Sequence, residues 1–299
     1  PSRRNGGESS NYSFRAAMLV CDDNKIRMPC MPSSESSYPA KKLILNLVKE
    51  AQQPISAQVM VRMAELFSVE ANNVRVTLNR LTRQDFLDLT ERGIYVLGPA
   101  AKHLAERQSA WRRTEDKVRP WEGQWIAIYA AHLGRRDRKV LRQRQRAMTM
   151  LGFSELYQGM LVRPDNLRTS LRDLTNQLFH LGLETEACVF RAEAFNPGAE
   201  PVPQTLWPVA EINARYRNNT EEMQNWRSSF EDKPLDVAAR ECFLIGDRVL
   251  RDIAYDPLLP EQIVDQQARS EMVETMADFD DLGKSIWREL ISRFIEDQT

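Results

Sequence analysis

Apolar and polar positions between residues 40 and 98 follow helical spacing first and strand alternation afterwards. Apolar residues recur at intervals of three and four, which predicts three helices, the third running from Glu70 to Arg83. Gln53-Pro54 ends the first helix, and Ser56 is placed to cap the start of the second. The segments LDLT and IYVL then alternate around a turn at residues 91–93, which predicts two strands joined in a hairpin.

The third predicted helix has one apolar face and one face rich in amides and guanidiniums. Val74, Leu78 and Leu81 fall at i, i+4 and i+7 and form a narrow apolar stripe. The opposite face consists of Asn72, Val76, Asn79 and Arg83, flanked by Asn73, Arg75 and Arg80. Asparagine pairs with the major-groove edge of adenine, arginine pairs with guanine or phosphate, and valine contacts a thymine methyl group. An ordinary solvated helix face is the alternative interpretation.

Three helices followed by a small hairpin is the element order of a winged helix-turn-helix domain, which we predict over residues 39–98. In that arrangement the third helix enters the major groove, and the hairpin lies along the DNA backbone with Arg92 at its tip. The predicted DNA contacts are Asn72, Asn73, Arg75, Val76, Asn79, Arg80, Arg83 and Arg92. A small helical domain with a stabilising hairpin and no DNA-binding role is the alternative.

Residues 120–195 change in character and predict a second domain. An apolar strand at Ile126–Tyr129 is followed by a helix, a short hairpin, a second helix and a last strand. The predicted bounds after the first strand are Arg135–Leu151, Phe153–Arg163, Asp165–Leu181 and Ala187–Ala194. The order βαββαβ is that of a ferredoxin-like domain. The predicted fold class is therefore α+β.

The first helix of this second domain carries a dense basic stripe. Its members are Arg135, Arg138, Lys139, Arg142 and Arg146. Such a stripe favours phosphate, either from flanking DNA or from a cofactor. A solvated face, or a cradle for the acidic C-terminal region, are the alternatives.

The remaining segments predict no chemistry of their own. Residues 1–38 are rich in Ser, Asn, Gly and Pro and predict a tail or arm, and residues 99–119 predict a polar connecting helix. Residues 196–299 predict a helical C-terminal domain with helices at Pro208–Phe230, Leu235–Tyr255 and Ala268–Asp297. The last helix has an apolar stripe formed by Val273, Met276, Ile286, Leu290 and Phe294. This stripe is typical of a core or a dimer seam, with a ligand site as the alternative.

Charge along the chain divides it into a basic and an acidic half. The formal net charge is only −1, but residues 41–164 hold 22 basic against 12 acidic side chains, a net charge of +10. Residues 165–299 hold 14 basic against 26 acidic side chains, a net charge of −12. A basic half of this kind indicates a polyanionic partner, and the acidic half limits non-specific binding.

Several functional classes find no support in the sequence. No apolar run is long enough to cross a bilayer and no signal-peptide segment is present, so we expect a cytoplasmic protein without a membrane partner. The four cysteines include no CxxC pair, and His103, His132 and His180 match no metal-ligand spacing, so no metal is expected. Phosphate-binding loops, dinucleotide fingerprints and nucleophile elbows are absent.

A metal-dependent nuclease is the enzyme class that needs a specific test. The predicted ferredoxin-like domain is similar to the Cas2-like nuclease fold, which has a metal-binding Asp at the end of its first strand. Here that strand ends in Ile128-Tyr129-Ala130-Ala131, without a carboxylate to hold a cation. We therefore predict that the chain is not an enzyme, with a nuclease or an interaction protein that does not bind DNA as alternatives.

Three stretches of the chain resemble the PaaX-like repressors of phenylacetic-acid degradation. Val74–Leu81 is similar to the recognition-helix signature of that family, with Arg75 and Arg80 at its paired arginines. Trp121-Glu-Gly-Gln-Trp125, the arginine-rich helix, Leu151-Gly-Phe153 and Gly159–Pro164 resemble the centre of its middle domain. Arg248, Arg251, Asp256-Pro257 and Leu259-Pro260 resemble its C-terminal stretch. One departure is Asp85-Phe86, where the family usually has a glycine before the aromatic residue.

The resemblance implies a sequence-specific transcriptional repressor of an aromatic-acid catabolic operon. It implies a homodimer on double-stranded operator DNA, released by a small-molecule effector such as phenylacetyl-CoA or a related aryl-CoA or acyl-CoA thioester; no other cofactor is expected. Four arginines near predicted domain edges are candidates for the CoA phosphates. They are Arg163, Arg191, Arg248 and Arg251.

Overall fold

The structure is a computed structural model of the chain, and it describes residues 38–101 and 108–297. It is mixed α+β, with two antiparallel sheets and a helical C-terminal region, which confirms the predicted class at that level. The predicted N-terminal tail, residues 1–38, lies outside the described residues apart from Tyr38. None of the helices in these two ranges combines the length and the apolar character needed to cross a membrane.

The chain divides into two compact units. The N-terminal unit holds residues 38–101, 108–110, Met223–Arg248 and 276–297. The central unit holds Trp111–Glu222 and Val249–Thr275. Each unit therefore combines segments that are far apart in the sequence.

The N-terminal unit begins with three helices and a three-stranded antiparallel sheet of order β1-β3-β2. The elements are α1 (Ala40–Ala51), β1 (Ile55–Ser56), α2 (Ala57–Glu65), α3 (Ala71–Arg83), β2 (Leu87–Glu91) and β3 (Ile94–Leu97). Ser56 caps α2 as predicted, because its hydroxyl oxygen accepts a hydrogen bond from the Val59 amide at 3.2 Å. The sequence pattern does not predict β1, since two residues are too few to show strand alternation.

Asp85 occupies a backbone conformation that favours glycine. Its φ is 58°, in the left-handed region, at the turn between α3 and β2. The Asp85 carbonyl group also lies so close to Gly98 that a Cβ there would collide with it. Aspartate is one of the few other residues that adopt this conformation at modest cost. Asp85 is therefore compatible with a turn that a glycine would make.

The C-terminal region is helical, as predicted. Its helices are α6 (Pro203–Leu206), α7 (Val209–Arg227), α8 (Leu235–Ala254) and α9 (Gln266–Glu296), numbered after α4 and α5 of the central unit. On α9, Val273, Met276, Ile286 and Leu290 are each at most 6% exposed. Phe294, the fifth member of the predicted stripe, is half-buried. Most of the apolar stripe of the last helix is therefore covered within the chain, in agreement with the core interpretation.

An aromatic cluster forms part of the core of the N-terminal unit. Phe67, Phe243 and Trp287 lie with ring centroids 5.2 to 6.0 Å apart, and Tyr38 lies 5.2 Å from Phe243. Pairs of this kind contribute about 0.5–1.5 kcal/mol each beyond the area they bury. The cluster joins α8 and α9 to Phe67, two residues after the end of α2.

The central unit contains a four-stranded antiparallel sheet of order β5-β6-β4-β7. Its elements are β4 (Trp125–Tyr129), α4 (Arg138–Met150), β5 (Ser154–Tyr157), β6 (Met160–Pro164), α5 (Leu171–Leu181) and β7 (Cys188–Ala192). The predicted order of strands and helices is present in full. The central strand β4 is buried from Trp125 to Ile128, which explains its continuous apolar sequence.

Three helix predictions around this unit need correction. The helix predicted from Arg135 begins at Arg138, because the Asp137 side chain accepts hydrogen bonds from two amides of the first turn. The helix predicted from Asp165 begins at Leu171, because Ser170 caps it by accepting from the Asp173 amide at 3.1 Å. The predicted connecting helix over 99–119 is not one α-helix in its described part, since residues 108–113 and 115–117 form 3-10 turns.

The loop from Asp256 to Pro260 packs against the end of the sheet in the central unit. The Asn166 amide donates a hydrogen bond to the Leu258 carbonyl at 2.7 Å. Gly152, with φ of 73°, lies so close to Pro257 that a Cβ would stand 2.6 Å from its carbonyl oxygen. The Trp207 indole donates to the Gly152 carbonyl at 3.2 Å. Sequence motifs that are far apart along the chain thus meet in one buried contact.

We predict that Gly152→Ala destabilises the protein far more than Gly123→Ala. Both glycines have positive φ, but the Cβ at Gly123 would meet nothing within 4 Å. The Gly123 variant should therefore cost only the backbone strain of about 1–2 kcal/mol, whereas the Gly152 variant must also displace Pro257. Thermal unfolding followed by tryptophan fluorescence checks this. Equal losses of Tm in the two variants would contradict a close approach at Gly152.

Candidate nucleic-acid interface

The buried side of α3 fixes the orientation of the helix. Val74, Leu78 and Leu81 are 0–1% exposed, as the apolar stripe predicted. Thr77 is buried beside them at 3% exposure. Because residues on a helix follow one another by about 100°, this buried side directs the opposite arc toward solvent.

All eight residues predicted to contact DNA are exposed. Seven of them lie on α3, and Arg92 lies in the turn between β2 and β3. Val76 is 59% exposed, which is high for a β-branched apolar side chain on a helix packed on a core. Asn72, Val76, Asn79 and Arg83 stand at i, i+4, i+7 and i+11 and form the middle line of this face.

Asn73 differs from the other amides because a neighbour holds its side chain. The Thr77 hydroxyl donates a hydrogen bond to the Asn73 side-chain oxygen at 3.3 Å. This hydrogen bond uses the Asn73 side-chain oxygen, which is the acceptor that a bidentate contact with adenine requires. Sequence reasoning missed Thr77, although the spacing of four residues after an Asn is a signal that could have found it.

The outward face of α3 is positively charged without local compensation. Arg75, Arg80 and Arg83 are exposed, and the helix contains no acidic residue from Ala71 to Arg83. Within the described part of the N-terminal unit, none of the three forms an ion pair with a carboxylate. This face can attract an anion and also offers amides that pair with base edges.

The hairpin next to α3 is more mixed in charge. Arg92 precedes Gly93, whose φ of 79° makes the tight turn. Asp88 and Glu91 are exposed on the same hairpin. The capacity to attract an anion is therefore greater on α3 than on the hairpin, where Arg92 is the basic residue.

Arg163, predicted to contact CoA phosphates, instead fills a buried structural position on β6. It is 1% exposed, and it donates hydrogen bonds to the carbonyl oxygens of Leu151 and Pro164 and, at 3.0 Å, to the Asn166 side chain. Burial lowers the pKa of Arg163 to about 9, and the nearby Asp165 carboxylate opposes that shift. A phosphate in solvent has no access to this guanidinium.

The other three predicted ligand arginines are accessible. Arg191 lies on β7, and its Nε donates to the buried Asp165 carboxylate at 2.6 Å. Arg119 contacts the second oxygen of the same carboxylate at 2.9 Å. These two guanidiniums are 44% and 41% exposed, so each keeps N–H groups in solvent. Arg248 and Arg251 are exposed on α8.

Metal-ligating groups show no clustering in the parts of the chain that the structure describes. There, no three His, Cys, Asp or Glu side chains stand close enough to hold a metal ion together. The end of β4, where the nuclease alternative needs a carboxylate, carries Tyr129, which stacks on His132 with ring centroids 5.4 Å apart.

Comparison with known proteins gives a family match for part of the chain and a similar solved structure. Residues 207–289 match the PaaX-like protein C-terminal domain. A search of curated proteins found no relative of the chain. The structure is similar to that of the uncharacterized protein Rv0674 from Mycobacterium tuberculosis, with a TM-score of 0.53 and 18% sequence identity over 82% of this chain and 98% of that one. At this identity the likeness extends to the fold alone. Residues 207–289 are thus similar to the C-terminal domain of the PaaX-like proteins, which supports the resemblance predicted from the sequence motifs.

Proposed function

We propose that the chain is a sequence-specific DNA-binding transcriptional repressor of the PaaX type. The observation that carries the proposal is the outward face of α3, where amides, arginines and Val76 are exposed together while the opposite stripe is buried. The similarity of residues 207–289 to the PaaX-like protein C-terminal domain agrees with a role in transcription regulation.

The element order of each unit supports a domain assignment for this repressor. Residues 39–98 would be a winged helix-turn-helix domain, with α3 as its recognition helix and the β2–β3 hairpin as its wing. Residues 120–195 would be a ferredoxin-like domain. In its sheet order β5-β6-β4-β7, strands β6 and β4 lie in the centre and β5 and β7 at the two edges, as in that fold.

The proposed DNA-binding residues would make two kinds of contact, with bases and with phosphates. Asn72 and Asn79, whose amides are exposed, would read adenine, and Val76 would contact a thymine methyl group. Asn73 would contribute through the donors that the Thr77 contact leaves open. Arg75, Arg80, Arg83 and Arg92 would bind phosphates and supply the salt-dependent part of the affinity.

The regulatory part of the proposal concerns a homodimer and an effector. A cytoplasmic homodimer would bind two operator half-sites. An aryl-CoA such as phenylacetyl-CoA would bind more tightly to a second conformation of the dimer, in which the two recognition helices no longer match the spacing of the half-sites. Arg191 is the predicted effector contact best supported, because the buried Asp165 orients its guanidinium while donors stay exposed.

We expect Arg75→Ala with Arg80→Ala to weaken binding to the DNA upstream of the chain's own gene. Removing one phosphate-binding charge should lower the slope of log K against log salt concentration by about 0.9. Fluorescence anisotropy at several salt concentrations measures both the affinity and the slope. Replacement of Arg62 and Arg293, which pair with Asp297 and Glu289, is the matched control. Unchanged binding of the α3 variant would remove α3 from the interface.

Arg191→Gln should reduce the response to the effector while leaving DNA binding intact. Loss of one charge-assisted hydrogen bond should raise the phenylacetyl-CoA concentration needed for release about tenfold or more. Arg217→Gln is the control, because Arg217 is 59% exposed in the same unit and pairs with Asp265 at 3.3 Å. The measurement is a titration of the protein–DNA complex with the thioester. If Arg191→Gln responds like wild type, Arg191 is not an effector contact.

A further inference from the structure

The start of α4 carries a cluster of cations that the proposed function does not use. We define the α4 basic surface as Arg135, Arg136, Arg138, Lys139 and Arg142. All five side chains are exposed, and they follow the end of the central strand β4. Asp137, the only acid among them, is engaged as the cap of α4 through the amides of Lys139 and Val140.

Among the described residues of their own unit, these cations have no carboxylate partner. Among the described residues of the central unit, ion pairs of arginine involve Arg119, Arg144, Arg191, Arg217 and Arg269, and none involves the α4 basic surface. Arg144, on the same helix, is buried and makes a two-pronged contact with Glu184. In the described part of the unit, α4 thus has a carboxylate partner for the buried Arg144 and none for the exposed cations at its start.

The position of the cluster is also unfavourable for the helix itself. Arg138 and Lys139 occupy the first turn of α4, where the positive end of the helix dipole disfavours cations. Arg138 and Arg142 stand at i and i+4, where like charges repel. The α4 basic surface therefore opposes folding in two ways, and a bound anion would relieve both.

The shape of the surface indicates which anion fits. Sites for small ligands are concave and enclose most of the ligand, whereas these five side chains all stand exposed on a helix and the loop before it. Arg138 to Arg142 spans about 6 Å of helix axis, and duplex DNA carries one charge per about 1.7 Å of its own axis. An extended polyanion matches this row of cations.

We infer that the α4 basic surface binds the phosphate backbone of duplex DNA, as a sequence-independent contact additional to that of α3. The inference rests on the proposed function in taking DNA as the partner. The contact raises affinity for all duplexes and leaves base preference to α3.

The test uses the full chain with Arg138→Gln, Lys139→Gln and Arg142→Gln combined. Each phosphate-binding charge that is removed lowers the salt slope by about 0.9, so the slope falls by up to about 2.7. At 0.1 M salt the affinity should drop at least about eightfold for operator and non-operator duplexes alike. Thermal unfolding should show no loss of Tm in this variant.

The control variant loses the same number of positive charges, but from exposed arginines that form ion pairs with carboxylates. It combines Arg217→Gln, Arg227→Gln and Arg293→Gln, whose side chains are exposed and pair with Asp265, Asp278 and Glu289. This control should retain the wild-type slope. If the α4 variant also keeps that slope, or if only its binding to single-stranded RNA changes, the inference is overturned.

A parallel measurement on the Arg75→Ala, Arg80→Ala variant separates this inference from the proposed function. Loss of operator binding in the α3 variant, with an unchanged slope in the α4 variant, overturns the inference alone. A reduced slope in the α4 variant, with wild-type binding in the α3 variant, supports the inference and contradicts the role of α3. If the wild-type chain binds no duplex, both are overturned.

Discussion

The hydrogen bonds of the buried Arg163 guanidinium are the interaction on which the central unit depends most. Burying an ion is costly, and the cost is offset only where every donor finds an acceptor. Each of the three guanidinium nitrogens of Arg163 donates one hydrogen bond, to Pro164, Leu151 and Asn166. Asn166 in turn donates to the Leu258 carbonyl. The side-chain amide that accepts a hydrogen bond from Arg163 therefore also binds the loop after α8. One buried charge therefore connects the sheet with the C-terminal region of this unit.

Arginine serves two opposite purposes in this chain. Arg144, Arg163 and Arg269 are at most 6% exposed, and each is surrounded by carbonyl or carboxylate oxygens that specify its position. The arginines of α3 and of the α4 basic surface are exposed and, among the described residues, form no ion pair with a carboxylate in their own units. Surface ion pairs contribute little to stability, so leaving these cations unpaired costs the fold little and keeps their charge available to a polyanion.

The periodic parts of the fold were predictable, and the contacts between distant segments were not. The two faces of α3 follow from Val74, Leu78 and Leu81 alone, because helical geometry determines which residues oppose that stripe. The exposed face, with Asn72, Asn79 and the arginines, could therefore be named from the sequence. Burial of Arg163 could not, since acceptors for it lie on other segments and an arginine near the end of an apolar strand is typical of a surface. Thr77 was missed because threonine carries no apolar signal.

Base reading by α3 is the central claim, and selection from a library of random duplexes tests it most directly. Wild-type protein should enrich one consensus sequence. Asn79→Ala should enrich the same consensus with the adenine preference lost at one position, because its amide is the group that pairs with that base. Failure of wild-type protein to enrich any sequence, or identical base preferences in both proteins, would contradict the account.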